Sequence, residues 1–299
     1  MNRCWTIKKI LKLFLPPIVF KARELFKYKS VNNQFYIQQS PLPQLEHHSE
    51  KMVIIGNGPS LNDSILKYKD EILKNDITAV NFFASSELFE QLRPNVYVFA
   101  DPAIFEAPIH LNDSIESLLM NLLLKTVWEM HVIVPSSAKD SIFVSKLRSN
   151  KHIAVDFYNN TNQNVGSMSK FEAWDNNLIA PPAQTVLNVA LYLSLFWNYK
   201  EVYLIGADSS FFEDLRVDQN TNEIFTIDKH FYNNQSVLSK FDAKRGRPMT
   251  GWSLHELIYA YGRMFEGYSD LKEYANYKGL KVYNASEYSW INVFERKKL

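Results

Sequence analysis

The chain has 299 residues, of which 46% are hydrophobic, with 33 basic and 32 acidic side chains. This is the composition of a globular protein with one large domain or one and a half. The single cysteine, Cys4, excludes a disulfide within the chain and indicates a reducing compartment. Seven scattered histidines give no zinc-ligand spacing, so we expect no metal site.

Basic residues are concentrated at the start of the chain. Residues 1–30 contain eight Lys/Arg and one Glu, which leaves 25 basic and 31 acidic residues, a formal charge of −6, in the remainder. An enzyme that acts on nucleic acid usually carries a basic face on its main domain. The remainder shows no such excess, so we expect no nucleic-acid partner.

The first 30 residues predict a basic amphipathic segment, broken by Pro16-Pro17. The uncharged run 13–20 is too short to span a bilayer, which needs ~20 residues. We expect the segment to lie in a membrane interface, with docking on the protein's own core as the alternative. We therefore expect a cytoplasmic protein that is peripheral on the inner face of the cytoplasmic membrane. Residues 31–50, polar with two prolines, are interpreted as a linker.

From residue 51 onward, predicted strands and helices alternate. Such alternation predicts an α/β fold, a single Rossmann-like, mostly parallel sheet flanked by helices over residues 51–299. Two long polar stretches interrupt it, a loop at 159–182 and an insertion at 209–252 that we interpret as a lid. The predicted strands are 52–55, 77–83, 95–101, 130–136, 152–158, 201–208 and 279–286. The predicted helices are 61–73, 87–92, 114–125, 138–149, 183–198 and 253–278.

Parallel sheets bind ligands beyond the carboxyl ends of their strands. The first strand runs directly into Gly56-Asn57-Gly58-Pro59-Ser60. Glycine lets a backbone approach a ligand closely, and the helix start that follows favours an anion. The pattern is neither a dinucleotide fingerprint nor a Walker A loop. Ser60 is also a natural helix cap.

These residues suggest a family. The segments "VIIGNGPSL", "VYVFADPAIF" and "YKEVYLIGAD" resemble those of bacterial sialyltransferases of glycosyltransferase family 42. They also resemble the related pterin-pyrophosphokinase-like and motility-associated glycosylation group. The resemblance covers about residues 51–110 and 183–290. It implies one Rossmann-like domain with a lid (a GT-A-like variant), a CMP-sugar donor, no metal and no further cofactor.

The resemblance also implies roles for individual residues. In the family, the Asn of the first turn and the Asn that ends the second strand hold the donor, and these positions are Asn57 and Asn81 here. Asp101 stands where the family has Asn, and we expect it to face ribose or sugar hydroxyls. Thr185 matches the family's Arg-x-Thr-Ser, whose Arg is absent. The family's Asp-Phe-Tyr is replaced by Asp208-Ser209-Ser210, so Tyr232 is the candidate to hold the leaving phosphate.

Metal-free glycosyl transfer needs a base for the acceptor hydroxyl, and histidine is the usual choice. His255 follows the lid, the place of the family's base. His230 lies within the lid, near Asp228, Tyr232 and Asn233. The sequence leaves both open.

We therefore predict a glycosyltransferase that moves a sialic-acid-like or Kdo-like sugar from a CMP donor to a bacterial surface glycan, lipopolysaccharide or capsule. Its expected partners are the nucleotide sugar, a glycan or glycolipid acceptor and the membrane, and a homo-oligomer is left open. Two alternatives remain. One is a metal-dependent diphosphokinase-like enzyme that uses Asp101 and Asp208, and the other is a non-catalytic polysaccharide-assembly protein.

Overall fold

A parallel sheet forms the centre of the molecule. The computed structural model describes residues 42–106, 112–160, 168–213, 215–228, 231, 237–240 and 253–299. Eight strands of this part form one sheet in the order β11-β10-β6-β1-β2-β3-β4-β5, and every neighbouring pair is parallel. They are β1 (Lys51–Ile55), β2 (Asp76–Val80), β3 (Val96–Val98), β4 (Met130–Pro135), β5 (Ile153–Tyr158), β6 (Glu201–Ile205), β10 (Lys281–Asn284) and β11 (Glu295–Arg296). The predicted α/β fold class is confirmed.

Helices connect these strands and cover both faces of the sheet. Their bounds, in the part of the chain that the structure describes, are α1 (Leu61–Ile72), α2 (Leu88–Leu92), α3 (Ala103–Glu106), α4 (Asp113–Lys125), α5 (Ile142–Leu147), α6 (Lys170–Asp175), α7 (Val186–Phe196) and α8 (Leu254–Lys278).

The order of strands reverses between β1 and β6. The chain builds outward from β1 to β5, then returns through α7 to place β6 on the other side of β1, in register from Lys51–Glu201 to Ile55–Ile205. Such a reversal opens a crevice at the carboxyl ends of the two strands, where open α/β sheets bind ligands. A ligand site is therefore expected at the turns that follow β1 and β6.

Alternation along β1 divides the core into two layers. Met52 and Ile54 face one layer, where α7 and α8 pack, whereas Val53 and Ile55 face the other, covered by α1, α4 and α5. Helix α7 is buried along almost its whole length because it lies between the sheet and α8. This explains why its sequence is apolar on nearly every side.

The two stretches predicted as irregular contain regular structure. Helix α6 lies within the predicted loop 159–182, with Ser169 accepting a hydrogen bond from the Glu172 amide at its start. The described parts of the insertion form a three-stranded antiparallel sheet. Its strands are β7 (Arg216–Val217), β8 (Ile224–Asp228) and β9 (Val237–Lys240).

Part of the predicted linker packs against the domain. Leu42 is buried in the core, and the Trp197 indole donates to the Pro43 carbonyl at 2.9 Å. The backbone amide of His48 donates to the buried Asp76 carboxylate at 3.0 Å. Residues 42–49 are thus anchored to the amino-terminal edge of the sheet. The predicted membrane segment, residues 1–30, lies outside the described residues.

In the described part of the chain, no helix combines the length and the apolar character that crossing a bilayer requires.

Candidate functional site

The turns that follow β1 and β6 pack directly on each other at the reversal of strand order. The Gly56 amide donates to the Ile205 carbonyl at 2.8 Å, and the Gly58 amide donates to the Gly206 carbonyl at 2.9 Å. These bonds continue the β1–β6 ladder beyond the strands. They hold the two turns as one unit at the edge of the crevice.

This close packing explains the glycines. A Cβ on Gly56 would lie 2.3 Å from the Gly206 carbonyl oxygen, and a Cβ on Gly58 would lie 2.2 Å from Asp208 Oδ1. Gly206 has a φ of +58°, a conformation that favours glycine. The sequence predicted a turn open to close approach by a ligand. The structure shows that the first backbone to approach is the protein's own.

Asp208 is buried against the start of α1. Its Oδ1 accepts from the Ser60 hydroxyl at 2.6 Å and its Oδ2 accepts from the Ser60 amide at 3.1 Å. Burial raises the pKa of this carboxyl, the bonds from Ser60 oppose that rise, and Glu213 adds to it. Ser60 occupies the predicted N-cap position, yet its side chain makes no capping bond within the helix, because the hydroxyl is directed to Asp208.

Two of the backbone amides at the start of α1 therefore already have acceptors within the protein. The Ser60 amide is bound by Asp208, and the Leu61 amide donates to the Gly58 carbonyl at 3.0 Å. An anionic ligand at this end of α1 would have to use other donors, and it would lie close to a carboxylate. Pro59, which lies between Gly58 and Ser60, is exposed.

Asn57 and Asn81, the two residues to which the resemblance assigns donor binding, lie close together in the structure. Asn57 Nδ2 donates to the Val80 carbonyl at 3.1 Å, which ties the turn after β1 to the end of β2. Asn81 then begins a 3-10 helix, Asn81–Ser85, in a left-handed conformation with a φ of 46°. The predicted strand 77–83 thus ends at Val80. Tyr97 fixes this bend by donating to the Asn81 carbonyl at 2.5 Å.

The side chain of Asn81 carries an unusual feature. Its Oδ1 is buried, and among the described residues it has no hydrogen-bond partner. Such an atom normally costs about 1–3 kcal/mol unless something pairs with it. The left-handed backbone of Asn81 ends β2 and starts the 3-10 helix. A ligand donor at this point would satisfy the oxygen.

One residue of the insertion rests on this pair of turns. The Phe231 amide donates to the Asn57 carbonyl at 3.2 Å, and its ring lies 5.8 Å from that of Phe83. Asn62 Nδ2 donates to the Phe231 carbonyl at 3.3 Å. The predicted lid therefore touches the predicted donor site. Its two candidate catalytic residues, His230 and Tyr232, lie outside the described residues.

The other predicted donor-binding residues have local roles. Asp101 is exposed and accepts from the Ala103 amide at 2.9 Å at the start of α3, and Thr185 caps α7 by accepting from the Leu187 amide. Ser209 is buried, in a left-handed conformation, with its hydroxyl 3.4 Å from that of Tyr268. Ser210 is half-buried at the rim.

The second candidate base is on the described part of the chain. His255 is exposed in the first turn of α8, and its Nδ1 lies 3.0 Å from the Ser253 hydroxyl. Ser253 is the N-cap of α8, as predicted, and its amide donates to Glu256 at 3.2 Å. The ring is thus held at one nitrogen, and its exposed part is free to meet an acceptor. Among the described residues, no cluster of three or more His, Cys, Asp or Glu suits a metal ion.

Sequence reasoning missed Asn188. This residue of α7 is fully buried, and among the described residues neither of its amide atoms has a partner. Its Oδ1 would lie 3.1 Å from a Cβ on Gly267, so the glycine makes room for it where α8 crosses α7. The available signal was an asparagine in an otherwise apolar helix.

The fold is similar to that of a solved glycosyltransferase. A MAf glycosyltransferase from Magnetospirillum magneticum AMB-1 matches over 90% of this chain, with a TM-score of 0.51 and 14% sequence identity. The chain spans 36% of that protein's length. At this identity the likeness shows a shared fold. No protein-family model and no curated protein matches the chain.

Proposed function

We propose that this protein is a glycosyltransferase that moves a sialic-acid-like or Kdo-like sugar from a CMP donor to a bacterial surface glycan, lipopolysaccharide or capsule. The proposal is supported by a fold shared with a protein named as a glycosyltransferase. It is further supported by the side chains at the ends of β1 and β2. We also propose that residues 1–30 hold the protein on the inner face of the cytoplasmic membrane.

The observation that carries the proposal is the buried side-chain oxygen of Asn81, which has no hydrogen-bond partner in the part of the chain that the structure describes. Asn81 follows β2, and the carbonyl of the preceding Val80 accepts from Asn57 Nδ2. The Asn57 carbonyl in turn accepts from the Phe231 amide of the insertion. A carbonyl oxygen in this place accepts from an amine or a hydroxyl, and a cytosine amine and a ribose hydroxyl are both such donors. Closure of the insertion over the turn would shield that bond from water.

The proposed reaction is a single displacement. The acceptor hydroxyl oxygen forms a bond to the anomeric carbon, the bond from that carbon to the phosphate oxygen breaks, and CMP departs with the electron pair. His255 or His230 takes the acceptor proton. The leaving group carries one phosphate, for which Tyr232, Ser209 and Ser210 are the proposed donors.

The diphosphokinase-like alternative depends on Asp101 and Asp208 as metal ligands. Both oxygens of Asp208 accept bonds from Ser60, and Asp101 caps α3. A metal would have to share these carboxylates with the hydrogen bonds they already accept. The third possibility, a non-catalytic role in polysaccharide assembly, predicts ligand binding without turnover.

A thermal-shift screen of the full chain tests the donor. CMP, CDP, UDP, GDP, ATP and NAD are each added with and without magnesium, and we expect cytidine nucleotides to raise the melting temperature without it. Asn81→Gly removes the amide while keeping the left-handed backbone, and it should abolish the CMP shift. Asn198→Gly is the matched control, because Asn198 is also left-handed (φ 65°). It lies between α7 and β6, at the amino-terminal ends of the strands and away from the proposed site.

Turnover is measured as CMP release from CMP-N-acetylneuraminate and CMP-Kdo, with and without glycan acceptors. Release that depends on an acceptor supports transfer. A shift with diphosphates that needs magnesium supports the diphosphokinase-like enzyme instead. Binding without any release supports the non-catalytic role.

A further inference from the structure

Beside the strand-end site lies a group of aromatic rings, here called the aromatic platform. It consists of Phe211 and Phe212 after β6, Tyr261 on α8, and Tyr288 and Trp290 after β10. The Phe211 and Tyr261 rings are nearly parallel with centroids 6.2 Å apart, and Phe212 meets Trp290 edge-on at 4.6 Å. Three separate elements therefore bring their rings to one surface.

The platform is only partly covered by the protein. Phe211, Tyr288 and Trp290 are 46%, 47% and 45% exposed. Large aromatic side chains are usually well buried, and a contiguous exposed apolar patch marks a place where a ligand or partner binds. The T-shaped contact between Phe212 and Trp290 fixes the orientation of the rings that reach solvent.

A carboxylate is held at the edge of the platform. Glu213 Oε1 accepts from the Trp290 indole at 2.6 Å and also from the Tyr288 hydroxyl. The Trp290 indole lies 2.9 Å from the Tyr288 hydroxyl as well. Both donors bind Oε1, and among the described residues no donor binds Oε2. The carboxylate is fixed in position with one oxygen available to a ligand hydroxyl.

The platform is joined to the proposed donor site by direct contacts. The Trp290 amide donates to the Asp208 carbonyl at 2.8 Å, and the Ser60 hydroxyl lies 3.4 Å from the Tyr288 carbonyl. Tyr261 follows His255 by six residues on α8, roughly 9 Å along the helix axis. The platform and that candidate base therefore share one helix.

We propose that the aromatic platform and Glu213 form the acceptor subsite, which binds a neutral pyranose of the glycan. The inference rests on the proposed function. Sugar rings present C–H groups on one face, which are attracted to the negative face of an aromatic ring, and hydroxyls at the edge, which donate to a carboxylate. Glu213 would repel a carboxylated or phosphorylated acceptor sugar, which favours a neutral one on the platform.

Saturation-transfer NMR on the full chain tests the inference without any donor. The probes are lactose, maltose, cellobiose and N,N′-diacetylchitobiose at millimolar concentration, with N-acetylneuraminate as the anionic comparison. We expect at least one neutral disaccharide to bind through its C–H faces. Phe211→Ala and Glu213→Gln should each weaken that binding by about fivefold to tenfold.

Tyr277→Ala is the matched control, because Tyr277 is 59% exposed near the far end of the same helix. It should change disaccharide binding less than twofold. The CMP thermal shift is measured on the same variants and should be unchanged. Failure of the CMP shift with disaccharide binding intact contradicts the proposed donor and leaves the sugar subsite standing. If no neutral disaccharide binds, or if Phe211→Ala and Glu213→Gln bind as wild type, the subsite is wrong.

Discussion

The Ser60 hydroxyl donates a 2.6 Å hydrogen bond to the Asp208 carboxylate across the reversal of strand order. The same carboxylate accepts from the Ser60 amide, so one residue after β6 secures the first turn of the helix after β1. This link, with the glycine turns, makes the two strand ends a rigid base. Asn57, proposed to bind the donor, lies within this base, and Asn57 Nδ2 donates to the carbonyl of Val80, which precedes Asn81.

The pH dependence of stability should report the burial of Asp208. Because burial raises its pKa, the folded state binds this proton more tightly than the unfolded state does. The resulting stability is present below the ordinary pKa, about 3.9, and is lost as the pH rises through the folded pKa. Asp208→Asn cannot titrate, so its stability relative to wild type should increase from acidic to neutral pH. Urea unfolding at several pH values measures this.

Asp208→Ala is the contrasting substitution. It leaves the Ser60 amide and hydroxyl without their acceptor in a buried place, which should cost about 1–3 kcal/mol at neutral pH. An Asp208→Ala protein as stable as wild type at neutral pH would show that the two bonds from Ser60 do not support the fold.

The glycine turns make a second prediction. Gly58→Ala places a methyl group 2.2 Å from Asp208 Oδ1 and 2.7 Å from the Gly206 carbonyl oxygen, so the turns must separate. We expect a loss of several kcal/mol, of the order seen when a packed core is overfilled or a buried network is broken. Thermal unfolding measures it.

Gly262→Ala is its matched control. Gly262 lies in α8 with no atom within 4 Å of the added methyl group, so the substitution should stabilise by about 0.5–1 kcal/mol. A Gly58→Ala protein as stable as wild type would mean that the turns have room that the glycines do not need to provide.

The two glycines show what the sequence could and could not predict. Alternating strands and helices from residue 51 predicted the parallel sheet, because that pattern is local. The partner of Gly56 and Gly58 is Gly206, about 150 residues away, and no local pattern indicates a contact at that separation. Helix α6 was missed because Phe171, Ala173 and Trp174 stand among polar residues, where six residues give too few turns to show a period.

The candidate site, like the fold, was predicted from the sequence only in part. The donor-binding roles of Asn57 and Asn81 come from the resemblance and stay a prediction, while the structure shows that Asn57 Nδ2 donates to the carbonyl of Val80, the residue before Asn81. The aromatic platform was not predicted, since Phe211, Tyr261 and Trp290 come from three distant segments. Each is an ordinary residue in its own segment, and only the fold makes them neighbours.

Asn188 offers a third prediction. Asn188→Leu replaces two buried amide atoms that lack partners among the described residues by two methyl groups, with the same number of heavy atoms. Removing unpaired polar atoms should stabilise the fold by about 1–3 kcal/mol. Asn188→Asp is the comparison, and it should destabilise strongly because it buries a charge. A less stable Asn188→Leu protein would mean that the amide is paired in solution, for example by internal water.

The basic segment gives a fourth prediction. Deletion of residues 1–30 should leave a folded protein, because the described chain is anchored from Leu42 by its own contacts. Its binding to vesicles with anionic lipid should fall, since eight basic side chains each contribute about 1 kcal/mol or less at such a surface. Vesicle co-sedimentation measures this, with neutral lipid as the control. If the shortened protein does not fold, the segment belongs to the core and the membrane role is wrong.

The last prediction concerns the base and the metal. Transfer should persist in EDTA, and His255→Ala should lower kcat by about 10²–10⁴-fold with CMP binding nearly unchanged, since a positioned base contributes that much. His152→Ala is the control, because His152 is a surface histidine paired with Glu129 at 2.9 Å, on β5's side of the sheet. If His230→Ala causes the loss and His255→Ala does not, the base lies within the insertion. If EDTA abolishes turnover and magnesium restores it, the leaving group is a diphosphate held by a metal, with Asp101 and Asp208 as its ligands.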